Sequence, residues 1–277
     1  MSRFAEILKE QFKITNCWFH WHSDNHFVES KWKWITWMKY LLIRWLMFVY
    51  CAIMMFLSIW EHAENQWIFA LTSANYILIT VYFLYAAVNI TIYYIHQMKS
   101  ACLDPCDNDA TVTKQTHYCI GLRFRAHWFL YNLSLGMCTF VFIAFWVMLA
   151  PNKKRGFKPS LHTYLVIDRH GINLVLMVID FVINKIPIRL LQFVYSSLFL
   201  GLYLVYNSIY WSQTGKLVYG KILDYGSNGP TVAALALSGM FIAIPLIQLL
   251  WFALTLLGKK EPVPREDANA NLEFQNV

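Results

Sequence analysis

Thr72 sits in the apolar run WIFALTSAN (67–75), and His170 lies in another, LVIDRHGINLVLMVIDFV (165–182). A hydroxyl and an imidazole held side by side are the minimum for nucleophilic attack, with the imidazole taking the hydroxyl proton as general base. The second run also carries Asp168, Arg169, Asn173 and Asp180 in a stretch otherwise suited to a membrane interior. Ionisable groups at membrane depth face a bundle interior or a hydrated cavity, because facing lipid costs several kcal/mol each. At about 100° per residue, His170, Asn173, Met177, Asp180 and Asn184 fall within an arc of roughly 80°. The spacing therefore predicts a helix with one polar face. Along it, His170 and Asp180 stand about 15 Å apart, so they do separate jobs. Asp180 is expected to pair with Arg44 or to accept interhelical hydrogen bonds worth about 1 kcal/mol each. Thr72, Asn75, Asn132, Asn207 and Gln248 are further candidates to line a polar cavity, with Asn75 or Asn173 placed to stabilise an oxyanion.

The elements that must position these residues follow from composition. Of 277 residues, 58% are hydrophobic and 14% charged, and the mean hydropathy is +0.41, far above what a soluble core requires. About 20 apolar residues cross a bilayer as a helix. Six stretches qualify, at about 36–60, 67–94, 127–150, 161–183, 189–211 and 232–257. The expected fold is an all-α membrane protein, a bundle of six transmembrane helices. It divides into an N-terminal segment (1–33), a membrane domain (34–258) and a disordered tail (259–277).

Basic residues near span ends stay in the cytoplasm. On the side shared by both termini lie 14 Lys and Arg, against 6 on the other, so both termini are expected to be cytoplasmic. The cluster Lys153, Lys154, Arg155 opposes this assignment. With that orientation the second span begins outside near Trp67 and the fourth runs inward. Thr72 and His170 then share the outer leaflet.

Other features carry less. The net charge of +7 matches a basic face toward anionic lipid, and no basic stripe with interleaved aromatics points to nucleic acid. Membrane lipid is the expected partner, and the sequence names no protein partner. Cys51 and Cys138 fall inside spans, where a thiol acts as a small apolar group; Cys102, Cys106 and Cys119 fall in a loop placed in the cytoplasm, with Cys119 open to palmitoylation. Three histidines, His20, His22 and His26, lie close enough for zinc or copper, but a fourth ligand is lacking. That segment reads as an interfacial aromatic stretch with Trp18, Phe19 and Trp21 at the headgroups. No metal and no cofactor are expected.

Four segments carry a likeness to known proteins: Ser30-Lys31-Trp32 with YLLIRW (40–45), WIFALTSAN (67–75), RHGINLVLMVIDFVINKIPIRLLQFVY (169–195) and VYGKILDYGSNGP (218–230). Together they resemble the rolling-stone family of multipass membrane proteins, named for a fly protein needed in myoblast fusion. The sequence departs from that family's usual residues in LTSAN (71–75), at Gln192 and at Gly220. The resemblance implies a role in cell fusion or muscle development, at the plasma membrane rather than the endoplasmic reticulum. A more distant likeness is to the androgen-induced family of intramembrane threonine hydrolases, which cleave fatty acid esters of hydroxy fatty acids. It implies Thr72 as nucleophile and His170 as base, with a lipid ester as substrate. In another register of the same likeness Asn173 takes the histidine's place, and asparagine cannot act as a base. The alternative to the fusion role is therefore a threonine-type lipid ester hydrolase.

Overall fold

The computed structural model describes residues 9–13, 25–61, 67–102, 110–150 and 160–258. His20, His22, Cys106, the cluster at 153–155 and the tail at 259–277 lie outside the described residues, as do the side chains of Cys102 and Cys119. All regular structure among the described residues is helical, as a bilayer requires of chains that must satisfy their own backbone hydrogen bonds.

Five helices are long and apolar enough to cross a membrane: Trp37–Glu61, Leu71–Met98, Gly121–Leu149, Leu190–Thr214 and Gly229–Leu257. They match five of the six expected stretches. The remaining stretch is helical from Leu161 to Ile183, but as three pieces: α-helix Leu161–Ile167, a π-helical turn Asp168–Ile172 and α-helix Asn173–Ile183. Three charged residues, Asp168, Arg169 and Asp180, fall within it.

Local chemistry sets the ends. The Ser160 side chain caps the Leu161 helix by accepting from the Thr163 amide at 3.2 Å, satisfying a donor with no intrahelical partner. Gly215 ends the helix before it in the left-handed conformation, φ 66°, which glycine enters without a Cβ penalty. Pro230 stands in the first turn of the last helix, where its missing amide costs nothing.

Contacts sort the loops into two ends. At one, the Lys31 amide and Ser30 hydroxyl donate to the Ile183 carbonyl at 2.8 and 2.9 Å. Trp32 Nε1 donates to the Val182 carbonyl at 3.0 Å and Trp128 Nε1 to the Pro187 carbonyl at 2.6 Å. Phe27 is fully buried and stacks on Phe124, with centroids 5.1 Å apart. The folded unit thus takes in residues ahead of the expected boundary at 34, because this stretch carries apolar groups that the bundle buries. At the opposite end, Trp67 Nε1 donates to Ser58 Oγ at 2.9 Å and Tyr203 donates to the Phe69 carbonyl at 2.8 Å.

Small residues bring helices together in the third span and in the spans Leu190–Thr214 and Gly229–Leu257. A Cβ on Gly136 would lie 2.8 Å from Ser196 Oγ, and one on Gly239 3.2 Å from Leu200. Between membrane helices, such close approach supplies dispersion contact that the hydrophobic effect does not.

Candidate functional site

The polar face of the Leu161–Ile183 segment points into the bundle. His170, Asn173, Met177, Asp180 and Asn184 are all buried, while Val175, Val178, Ile179 and Val182 on the other side are exposed. The helical period therefore placed this face correctly.

Asp180 pairs with Arg44 of the first span, and both side chains are fully buried. Tyr82 of the second span donates to the other Asp180 oxygen. Arg44 donates to Tyr82 at 3.1 Å and to Tyr40 at 2.5 Å. A buried ion pair is tolerable only when further hydrogen bonds satisfy its remaining atoms; two tyrosines supply them here, leaving Arg44 Nε without a partner.

Asp168 forms a second node, nearer the other end. It is buried and accepts from Tyr50 of the first span at 2.6 Å and from Tyr76 of the second at 2.5 Å. It opens the π turn that carries His170. Each π turn inserts a residue into the helix and recurs at functional sites. The His170 ring stacks face to face on Phe145, centroids 3.5 Å apart and planes 8° from parallel. Trp146 Nε1 donates to the His170 carbonyl at 3.1 Å. Asp168 and the third span together fix where the imidazole points.

Thr72 is positioned from the other side. The 3-10 turn Trp67–Phe69 precedes its helix, and Phe69 stacks on Tyr210 with centroids 3.8 Å apart. The Leu71 amide, one of the orphan donors of a helix start, donates to the Tyr219 hydroxyl at 2.7 Å. The Thr72 side chain lies beside that same hydroxyl. Tyr219 belongs to the loop between the spans Leu190–Thr214 and Gly229–Leu257, and burial raises its pKa above the ordinary tyrosine value, so it remains a neutral hydroxyl. In the same loop Asp224 accepts from the Ser227 hydroxyl and amide and the Gly226 amide. These bonds, the Ser227 side chain first, hold its carboxyl below the usual range.

Thr72, His170 and Tyr219 line one cavity of about 540 Å³. Apart from Tyr203 and Ser238 the rest of its wall is apolar, from Phe140 to Leu149 on the third span, around Leu200 on the span Leu190–Thr214, and from Leu235 to Leu250 on the span Gly229–Leu257. Asn75, Asn132, Asn173, Asp180 and Arg44 are buried elsewhere. Asn132 and Asn173 donate within their own helices, to the Trp128 carbonyl at 3.1 Å and the Arg169 carbonyl at 3.2 Å. Asn75 faces Cys138. Asn207 and Gln248 are likewise buried away from it, so the sequence candidates divide into two at the cavity and seven in the bundle core.

Sequence reasoning missed the tyrosines and Asp168. The signal was there: a buried carboxylate needs donors, and the chain has 16 tyrosines, each an apolar ring with one donor at its tip. It also missed His127, fully buried on the third span, whose Nδ1 lies 3.0 Å from the Asn89 amide nitrogen. Asn89 and Asn132 are both buried.

Comparison with known proteins places this arrangement. The family described as protein rolling stone matches residues 1–261. Over 269 residues the chain is 25% identical to protein rolling stone of Drosophila melanogaster, covering 91% of this chain and 90% of the fly protein. No solved structure is significantly similar. The match takes in Arg44, Thr72, Asp168, His170, Asp180 and Tyr219 with the helices that hold them, and the chain belongs to the rolling stone family.

Proposed function

We propose that the chain is a six-span protein of the plasma membrane that acts in cell fusion or muscle development. The observation that carries this reading is the family match along nearly the whole chain. Loss of the protein from fusing muscle precursor cells should lower the number of multinucleate cells, and re-expression should restore it. Unchanged fusion after complete loss would refute the role.

Residues 161–183 supply the sixth span. In support, Ile183 meets the N-terminal segment at one end, while His170 meets the third span toward the other. Both termini are then cytoplasmic, as the basic residues imply. An epitope tag after residue 277 should stain only in permeabilised cells. Staining of intact cells would invert the topology and move Thr72 and His170 to the inner leaflet.

A second reading, hydrolysis of a lipid ester within the membrane, is favoured by one observation: Thr72 and His170 share an apolar cavity. In this reading Thr72 Oγ1 attacks the acyl carbonyl, His170 accepts its proton, and that proton leaves with the departing alkoxide. Water then releases the acyl group from Thr72 by the same route in reverse. The donor beside Thr72 is Tyr219, in place of Asn75 or Asn173. Thr72→Ala and His170→Ala should each lower hydrolysis of a lipid ester by about 10²-fold or more, and the double variant should cost little beyond that. Purified protein with no esterase activity, supporting fusion equally well as Thr72→Ala, would leave the fusion role without this chemistry.

A further inference from the structure

We propose that residues 31–39, which lead into the first turn of the first span, form a docking surface for the headgroups of anionic phospholipid. Lys31, Lys33 and Lys39 meet the phosphate and carboxylate oxygens, and Trp32, Trp34 and Trp37 seat the segment at headgroup depth. The surface lies at the bundle end opposite Trp67 and needs neither ester chemistry nor a role in fusion.

Lysine and tryptophan interleave in this segment, KWKWITWMK. All six side chains are exposed, Trp34 the most of the three indoles at 68%, while Ile35 and Tyr40 turn inward. At the end of a span an indole rests at headgroup level, its ring toward the chains and its N–H toward water. A lysine stem lies along apolar surface and keeps its ammonium among the headgroups.

The segment is fastened as well as exposed. Ser30, Lys31 and Trp32 donate to the Ile183 and Val182 carbonyls, the Trp32 amide donates to the Ser30 hydroxyl at 3.2 Å, and the Ile35 amide to the Trp32 carbonyl at 3.0 Å. Trp37 stacks on Tyr94 of the second span, centroids 4.6 Å apart. Basic residues that merely set the orientation of a span need no such attachment. A binding surface gains from it, because groups already held in place lose less conformational freedom when the ligand arrives.

The charge of the segment calls for an anion. None of the three lysines joins an ion pair among the described residues, and Glu29, the carboxylate nearest to them in the sequence, is held by Lys185 at 2.7 Å. The first turn of the helix Trp37–Glu61 carries Lys39 and no acidic residue, although a cation at a helix N-terminus opposes the helix dipole. Helix stability therefore gives no reason for Lys39, whereas an anion shared with Lys31 and Lys33 does. An anionic phospholipid brings that charge and, being confined to the bilayer, presents it at the depth of the tryptophans. Each lysine beside an anionic leaflet contributes about fivefold to the attraction.

The test uses full-length protein in nanodiscs of phosphatidylcholine with a minor fraction of phosphatidylserine, a trace of the latter carrying a photoreactive diazirine next to its headgroup. Crosslinks should saturate, concentrate in residues 31–39 and 182–185, and be displaced by phosphatidylserine at least tenfold better than by phosphatidylcholine. Raising NaCl from about 0.15 M to about 1 M, which shortens the screening length from about 8 Å to about 3 Å, should cut labelling severalfold. Lys31→Gln, Lys33→Gln and Lys39→Gln together should lower it at least tenfold at unchanged thermal melting, since Lys31 holds Ile183 through its backbone amide. The three corresponding Lys→Arg changes should keep it within about threefold. Equal displacement by phosphatidylcholine, labelling spread evenly around the first span, or undiminished labelling in Gln variants that fold overturns the proposal. Salt-insensitive labelling of the wild type overturns it without recourse to any variant. So does displacement by inorganic phosphate, at matched ionic strength, as effective as by phosphatidylserine, since the surface then takes a free anion.

Discussion

Asp180→Leu should yield almost no folded protein. The substitution leaves the Arg44 guanidinium fully buried beside two phenols and no anion. Removing one partner of a buried ion pair costs about 3–5 kcal/mol, because the surviving charge stays desolvated. That is a large part of the roughly 5–15 kcal/mol that separates folded from unfolded states. The charge, more than the lost contact, sets the size of the effect. Arg44→Leu with Asp180→Leu should therefore recover most of the loss, since a buried pair replaced by apolar groups of similar volume is often neutral. Thermal unfolding and size-exclusion yield in detergent measure both variants. A stable single variant, or a double variant no better than the single, would show that the pair does not carry this region.

Asp168→Ala should destabilise less, by about 3 kcal/mol, and should act on the site more than on the bundle. Hydrogen bonds to a charged group contribute about 1.5–3 kcal/mol each, and a buried donor left without an acceptor costs about 1–3 kcal/mol. Here two hydroxyls, from Tyr50 and Tyr76, lose their acceptor together. Because Asp168 opens the π turn of His170, its loss should also free the imidazole from its stack on Phe145. In the hydrolase reading the expected signature is slower hydrolysis of a lipid ester at temperatures well below the melting point. Tyr50→Phe with Tyr76→Phe, added to Asp168→Leu, should return stability by removing the orphaned donors. If Asp168→Ala melts like the wild type, the tyrosine bonds contribute nothing net.

The two aspartates show how much of the site was legible beforehand. Asp180 was readable as the partner of Arg44, because a 3.6-residue period puts it on the inward face and an intramembrane carboxylate needs a cation or donors. Asp168 falls outside that arc, and its reason lies on other helices. The inward rotation of Asn75, Asn132 and Asn173 was legible, yet their separation from the cavity was not. A helical wheel gives the face on which a residue lies, without saying which neighbour that face meets.

By itself the sequence determined the solvent, five of the spans, and the polar face of the segment from Leu161 to Ile183. These depend on hydropathy and helical period, which are local properties of the chain. Family membership was equally legible, through motifs such as WIFALTSAN and RHGIN, although their physical role was not. Only the tertiary structure decided that WIFALTSAN fixes the start of the second span against Tyr203, Tyr210 and Tyr219. It also decided that Thr72 and His170 meet one cavity, and that this cavity is walled by the span Gly229–Leu257, which carries no catalytic candidate. Those outcomes depend on how helices rotate and approach one another. That is settled by contacts such as Gly136 with Ser196, between residues far apart in the chain, which no local window contains.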